Sequence, residues 1–76
     1  MKAKEMFVRL GYKYTDYENY VEVECSYRDI DSWKRIVFDK FLRRFQAFEN
    51  NGALEVDVKT LAAICQQVKE LGWLEE

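Results

Sequence analysis

The sequence predicts an α+β fold, in which an antiparallel sheet of three to four strands is covered on one face by an N-terminal and a C-terminal helix. Three patterns predict this class. Apolar residues recur with helical spacing at both ends of the chain, they alternate with polar residues in the centre, and an isolated glycine follows each helical stretch. The 76 residues suffice for one domain, residues 1–76, because each of two smaller domains would lack a self-supporting core.

Both predicted helices carry an apolar stripe and the same kind of C-terminal signal. The N-terminal stripe consists of Ala3, Met6, Phe7 and Leu10. The longer stripe near the C terminus consists of Val58, Leu61, Ala62, Cys65, Val68 and Leu71. Asp57 is suited to cap the start of the second helix, and Gly11 and Gly72 are suited to end the two helices in the left-handed conformation. An aromatic residue, Tyr12 or Trp73, follows each glycine and is expected to pack back onto the last turn.

The central region begins with strands. Residues 20–27 have apolar side chains at the odd positions and mostly polar side chains between them, which is the period-two pattern of a half-buried strand. Tyr12 and Tyr14 alternate with polar neighbours in the same way and predict a short preceding strand. Residues 16–19 are expected to form the turn between the two.

Residues 33–49 are compatible with two structures. In the first, strands at residues 33–39 and 44–49 form a hairpin around residues 40–43. In the second, a single helix has an apolar stripe that consists of Phe38, Phe41, Leu42, Phe45 and Phe48. Periodicity alone leaves both alternatives open, although a lone two-stranded hairpin would be a marginal sheet, which favours added strands.

Both ends of the chain resemble a group of small proteins from phages and prophages of Gram-positive bacteria. At the N-terminal end the resemblance lies in residues 3–7, AKEMF, and 10–12, LGY. At the other end it lies in Leu61, Ala63, Ile64, Gln67 and residues 70–74, ELGWL. The centre is similar to the group mainly at residues 36–40, IVFDK. Members are α-β-β-β-α proteins with a hairpin in the middle, so the resemblance favours strands over residues 33–49. It implies a genomic setting and no activity.

The alternation assigns side chains to an inner face of the sheet, under the helices, and an outer face. The expected cross-strand pairs are Val23–Phe38, Cys25–Ile36, Phe38–Phe45 and Ile36–Ala47. The helix residues expected over the inner face are Met6, Phe7, Leu10, Leu61, Ile64, Cys65 and Val68. Both cysteines are therefore expected to be buried, reduced thiols. The outer face is expected to be a solvated arrangement of opposite charges, with Trp33, Val37 and Phe48 as its apolar residues.

The residue types exclude most catalytic chemistry, and we predict that the protein is not an enzyme. The chain has no histidine, which is the usual general base and the commonest metal ligand. Its two cysteines lie far apart, its three glycines form no phosphate-binding loop, and its acidic residues lack the spacing of a calcium loop. We therefore predict no catalytic residue, no cofactor site and no metal site.

The sequence also predicts a cytoplasmic protein without a membrane association. The N terminus is charged and is not followed by the apolar region of a secretion signal. The longest aliphatic and aromatic run, residues 36–38, is far shorter than the roughly 20 residues that span a bilayer. Two separate cysteines without a secretion signal are typical of the reducing cytosol.

One segment has no evident structural purpose, and it predicts a partner-binding site. Tight hairpin loops usually contain Asn, Asp, Gly or Pro, whereas residues 40–43 have two large apolar side chains between basic ones. The candidate partner-binding residues are Lys40, Phe41, Leu42, Arg43, Arg44, Arg35 and Trp33. Aromatic and arginine side chains contribute most to interface energetics. In the alternative structural interpretation, Phe41 and Leu42 fold under a helix end, or the segment is helical.

Three hypotheses about function follow. The first is a non-enzymatic accessory protein of a phage or mobile element that binds, and in its stronger form inhibits, a host or rival protein. The second is a nucleic-acid-binding module, because residues 31–48 carry five basic and two acidic side chains, and aromatic residues lie among the basic ones. A net charge of −2 for the whole chain argues against it. The third is a homodimer through Trp33, Val37 and Phe48.

Overall fold

The computed structural model describes residues 1–27, 32–50 and 55–74, which form two helices and four strands. In chain order these are α1 (Ala3–Arg9), β1 (Lys13–Asp16), β2 (Tyr20–Tyr27), β3 (Ser32–Asp39), β4 (Arg44–Glu49) and α2 (Val58–Glu70). The strands form one antiparallel sheet in the order β1-β2-β3-β4. The predicted α+β class is confirmed.

Residues 33–49 form strands, so the helical alternative for this segment is wrong. β3 and β4 pair without interruption from Lys34 opposite Glu49 to Asp39 opposite Arg44. The predicted pairs Phe38–Phe45 and Ile36–Ala47 are both present. The register of this hairpin was predictable because charged residues stand on both sides of the loop, residues 40–43. Asp39 ends the alternating pattern of β3, and Arg44 begins that of β4.

The predicted register between β2 and β3 is wrong by two residues. Phe38 lies opposite Val21, not Val23, and Ile36 lies opposite Val23, not Cys25. β2 ends at Tyr27 as predicted, but β3 begins at Ser32, one residue earlier than predicted, and the ladder starts with Tyr27 opposite Ser32. A shift of two residues keeps every side chain on its predicted face, so the fold survives the error.

The core lies between the inner face of the sheet and the two helices. Its buried members are Ala3, Phe7, Val21, Val23, Ile36, Phe38, Ala63 and Ile64. The Phe7 ring of α1 lies 6.2 Å from the Phe38 ring of β3, and Trp73, just after α2, lies 6.4 Å from Phe38 on another side. Phe38 is therefore the point at which both helices contact the sheet through aromatic rings.

The buried side of α2 differs from the predicted stripe. Its buried residues are Thr60, Ala63, Ile64 and Gln67. Leu61, Ala62 and Cys65, which were expected to face the core, are exposed, so the predictions of a buried Cys65 and of Leu61 over the sheet are wrong. Cys25 is buried, as predicted. The buried side is thus shifted by about one residue from the predicted stripe. Adjacent residues lie about 100° apart around a helix, so α2 is rotated by about that angle from the predicted orientation.

Hydrogen bonds explain how α2 buries two polar residues. The Tyr14 hydroxyl donates to Gln67 Oε1 at 2.7 Å, so the buried amide oxygen is satisfied. Tyr12 is likewise hydrogen-bonded to Thr60. Burial raises the pKa of both tyrosines. A pattern that counts only apolar residues misses such pairs.

The predicted helix ends are confirmed. Gly11 and Gly72 have φ angles of 92° and 74°, in the left-handed region that favours glycine. The N–H of Tyr12 donates to Phe7 and that of Trp73 to Val68, so each aromatic residue folds back over the last turn. At the start of α2 the Asp57 carboxylate accepts from the Thr60 N–H at 2.7 Å, and hydrogen bonds from Thr60 hold the pKa of Asp57 below its usual value.

α1 and α2 are joined to each other as well as to the sheet. The backbone N–H of Ala3, which has no partner within its own helix, donates to a carboxylate oxygen of Glu70 at 2.7 Å. A carboxylate is favoured at this position because the N-terminus of a helix carries partial positive charge. The start of the first helix is thus held against the end of the last.

Candidate functional site

The loop between β3 and β4, residues 40–43, is called the tip loop here. Asp39, the last residue of β3, fixes its conformation: one carboxylate oxygen accepts from the N–H groups of Phe41 and Leu42, both at 2.9 Å. The Asp39 carbonyl accepts from the Arg43 N–H at 3.0 Å. Asp39 thus provides the turn chemistry that the loop residues themselves lack, since aspartate side chains commonly bond to backbone N–H groups a few residues further on.

Arg43, the last residue of the tip loop, has a backbone conformation that residues with a side chain rarely adopt. Its φ angle is 55°, and among the described residues it is the non-glycine residue with a positive φ. This left-handed conformation costs an L-residue about 1–2 kcal/mol. The hairpin therefore retains an arginine at a position where glycine would fit better.

Replacing Arg43 by glycine is expected to raise the free energy of unfolding by about 0.5–1 kcal/mol. The relief of backbone strain exceeds the extra conformational entropy that glycine gives to the unfolded chain. Urea unfolding followed by circular dichroism measures the change. Arg44→Gly is the matched control, because Arg44 lies within β4 and glycine there should lower stability by a similar amount. An Arg43→Gly variant less stable than the wild type would contradict the strain argument.

The two apolar residues of the tip loop are exposed. Phe41 has 88% of its surface accessible and Leu42 has 52%. The alternative interpretation, in which both side chains fold under a helix end, is therefore wrong. Exposed apolar residues are normal on protein surfaces when they occur singly, but two adjacent ones on a conformationally fixed loop form a small protruding apolar surface.

Lys40 has a structural partner. Its ammonium donates to Asp16 Oδ1 at 2.6 Å and to the Tyr17 carbonyl at 2.7 Å, and its backbone N–H donates to the Asn19 carbonyl at 3.0 Å. These bonds join the tip loop to the turn between β1 and β2. Of the seven predicted partner-binding residues, Lys40 thus has a positioning role in the structure.

Arg35 and Trp33 lie on the outer face of the sheet, where no helix packs. The Arg35 guanidinium is 3.6 Å from Glu22 Oε1 and 5.3 Å from the centre of the Phe48 ring. Trp33 is 37% exposed, and its backbone N–H donates to Asn50 Oδ1 at 2.8 Å. The outer face is therefore a mixture of paired charges and partly exposed aromatic rings, as the alternation predicted.

A shallow depression connects the tip loop to the outer face. It has a volume of about 490 Å³, and its lining residues are Asn19, Tyr20, Glu22, Arg35, Val37, Asp39 and Phe41. A second depression of about 260 Å³ is lined by Glu24, Ser26, Trp33 and Arg35. Arg35 borders both, so the structure brings Trp33, Arg35 and Phe41 along one continuous surface.

The last two of the predicted residues, Arg43 and Arg44, lie where the tip loop meets β4. Arg43 and Arg44 are exposed, and within residues 1–27, 32–50 and 55–74 neither forms an ion pair. Tyr20, by contrast, was not predicted to belong to the site. It lies directly opposite Asp39, a pairing that the wrong β2–β3 register had assigned to Glu22. The exposed edge of Tyr20 was visible in the alternation, but its place beside the tip loop depended on the register.

The surface has the chemistry of a binding site for another molecule. It combines aromatic rings, an aliphatic side chain and charges of both signs, and the concave part is open. In the part of the chain that the structure describes, no group of three or more metal-ligating side chains comes together. No helix among these residues has the length and apolar character needed to cross a bilayer.

Comparison of the chain with protein-family models, with curated proteins and with solved structures gave no match.

Proposed function

We propose that this chain is a non-enzymatic protein-binding module whose partner contacts the tip loop and the adjoining outer face. The single observation that carries the proposal is the 88% exposure of Phe41 on a loop whose backbone Asp39 holds in place. An exposed phenylalanine contributes little to the stability of this fold, because it has no neighbours to bury it. Its presence is explained if a partner provides the missing contacts.

The geometry favours tight contact at small entropic cost. Binding is weakened when a loop must be ordered. The tip loop is already ordered by two N–H groups that donate to the Asp39 carboxylate and by the ion pair between Lys40 and Asp16. Interface hot spots are typically an aromatic or arginine side chain surrounded by residues that exclude water. Phe41 with Leu42 at the centre, and Arg43 with Arg44 at the rim, have this composition.

The biological role belongs to the same proposal. The resemblance of both chain ends to phage and prophage proteins supports an accessory protein of a phage or mobile element. Such a protein would bind a host or rival protein, and would inhibit it if the tip loop covers a functional surface of that partner. A protruding apolar loop on a small rigid domain suits this role, because it can enter a concave site on a larger protein.

Nucleic-acid binding is the second candidate, and one observation favours it. Arg43 and Arg44 are exposed beside Phe41, so cationic and aromatic groups do lie together. However, Arg35 forms an ion pair with Glu22, and Lys40 forms one with Asp16. The net charge of −2 would also repel a phosphate backbone. A protein partner therefore has the stronger support.

The double variant Phe41→Asp/Leu42→Asp is expected to keep the fold and to lose partner binding. Both side chains are exposed, so the free energy of unfolding should change by no more than about 0.5 kcal/mol, while two carboxylates would prevent apolar contact. The measurement is a pull-down from bacterial lysate with tagged protein, with and without nuclease. Partners are identified by mass spectrometry, and binding is then measured with the purified partner.

The matched control is Val58→Asp/Leu61→Asp on α2. These residues are 82% and 51% exposed, almost the same as Phe41 and Leu42, but they lie on a helix outside the proposed surface. The proposal requires the control to retain the partner that the tip-loop variant loses. Equal binding by both variants would contradict it, and a partner lost on nuclease treatment would establish the nucleic-acid alternative. Unfolding of the tip-loop variant would show that the two side chains belong to the core.

A further inference from the structure

The two edges of the sheet differ in how they are protected against pairing with another strand. β1 has only four residues, begins with Lys13 and ends with Asp16, whose carboxylate is held by Lys40. β4 has six residues, charges only at its two ends, and the exposed rings of Phe45 and Phe48 between them. Natural edge strands are usually shortened, charged or covered, and among the residues that the structure describes β4 has none of these protections along its centre.

We infer that β4 is an interface at which a second copy of this chain binds. The two β4 strands pair antiparallel about a two-fold axis perpendicular to the sheet, and the two four-stranded sheets become one sheet of eight strands. This inference does not rest on the proposed function, because it is argued from the sheet edge, although Arg44 belongs to both surfaces. It also differs from the sequence-based hypothesis of a dimer through Trp33, Val37 and Phe48 on the outer face.

The backbone of β4 has donors and acceptors available for this pairing. The Asn50 N–H donates to the Trp33 carbonyl at 3.4 Å, and hydrogen-bonded pairs alternate along an antiparallel ladder. The hydrogen-bonded pairs between β3 and β4 are then Arg35–Phe48, Val37–Gln46 and Asp39–Arg44. It follows that the N–H and C=O groups of Phe45 and Ala47 point away from β3, towards the free edge.

Side-chain size selects the register between the two copies. When the axis passes beside Gln46, Phe45 of each copy lies opposite Ala47 of the other, on the inner face. Phe45 is 45% exposed although its ring lies 5.7 Å from the buried Phe38, so the described part of the chain leaves the outer part of the ring uncovered. A small residue opposite a large one allows that uncovered part to be buried. Moving the axis to Ala47 would place Phe45 opposite the Glu49 carboxylate, which is unfavourable.

Charge selects the same register and argues for a second copy as the occupant. With the axis beside Gln46, the Glu49 end of each β4 lies next to the Arg44 end of the other, which brings two pairs of opposite charges close together by symmetry. On the outer face, Arg44 of each copy lies opposite Phe48 of the other, where a cation–π contact is favourable. An unrelated strand would not repeat these matches.

A cysteine placed at the axis tests both the interface and its register. In a Cys65→Ser background, which removes the exposed native thiol, Gln46→Cys places two sulfurs across a non-hydrogen-bonded pair. Such pairs have Cα atoms about 4.5 Å apart, within the range of a disulfide. Mild oxidation is therefore expected to give a covalent dimer on non-reducing electrophoresis. The matched control Arg44→Cys lies on the same strand and face, but its two copies are about 13 Å apart in this register and should not cross-link.

Light scattering at increasing concentration completes the test. The wild type is expected to reach twice the 9.2 kDa mass of one chain. Phe45→Glu should remain monomeric, whereas Val58→Glu, an exposed apolar residue on α2, should dimerise as the wild type does. A wild type that stays monomeric would overturn the inference. So would a dimer that survives Phe45→Glu, or one in which Arg44→Cys cross-links and Gln46→Cys does not. The cross-link keeps the test decisive if Phe45→Glu fails to fold.

Discussion

Replacing Phe38 by alanine is expected to lower the free energy of unfolding by about 3–5 kcal/mol. The side chain is completely buried, and its ring lies 5.7 Å from that of Phe45, 6.2 Å from that of Phe7 and 6.4 Å from that of Trp73. Truncation would remove contacts to both helices and to β4 at once and would leave a cavity that several elements must move to fill. Domains of this length are stable by roughly 4–11 kcal/mol, so the variant should be close to unfolding at room temperature.

Urea unfolding of the wild type and the variant, with tryptophan fluorescence and circular dichroism as independent probes, measures this loss. Phe48→Ala is the matched control, because Phe48 is also a phenylalanine of the sheet but is 37% exposed on the outer face. Its expected cost is about 1 kcal/mol. If the two substitutions had similar effects, Phe38 would not be the central contact between the helices and the sheet.

Replacing Ala63 by glutamate is expected to abolish folding, whereas the same change at Ala62 should be nearly neutral. Ala63 has no accessible surface, and the adjacent Ala62 is exposed. A carboxylate at residue 63 would have to be buried without a partner, at a cost of at least about 3 kcal/mol, or would separate α2 from the core. Glutamate has a high helix propensity, so neither change disfavours the helix itself.

This pair of variants also tests the orientation of α2. The apolar stripe seen in the sequence contains Ala62, and the buried side in the structure contains Ala63. Circular dichroism spectra and melting temperatures of the two variants are sufficient to distinguish the two orientations. A stable Ala63→Glu together with an unfolded Ala62→Glu would show that the helix packs on the stripe that the sequence suggested.

The sequence predicts the elements better than it predicts how they contact one another. The alternation of residues 20–27 and the glycines at 11 and 72 indicate local conformations, which depend on local energetics, and the structure has them. The orientation of α2 depends instead on hydrogen bonds between distant residues. Tyr14 and Gln67 are 53 positions apart, and only their contact makes a buried glutamine favourable.

The sequence likewise predicted the position of the candidate site but not the contacts that hold it in place. The unusual composition of residues 40–43 indicated a loop that does not serve the fold, and its two apolar side chains are exposed. The signals that explain the loop lie at its two ends, where Asp39 bonds to the backbone and Arg43 adopts a positive φ. The structural role of Lys40 was missed because its partner Asp16 belongs to a different turn, and no local pattern connects them.

The bond between the Ala3 N–H and Glu70 has a consequence for the order in which the protein is made. Residues 67 positions apart must meet before the start of α1 is joined to the end of α2. During synthesis the apolar face of the sheet therefore stays partly uncovered until α2 has left the ribosome, so the nascent chain completes its core only after all four strands have been made. In that interval the uncovered sheet and the edge at β4 are accessible together, and rapid addition of the last helix limits the time in which nascent chains can aggregate.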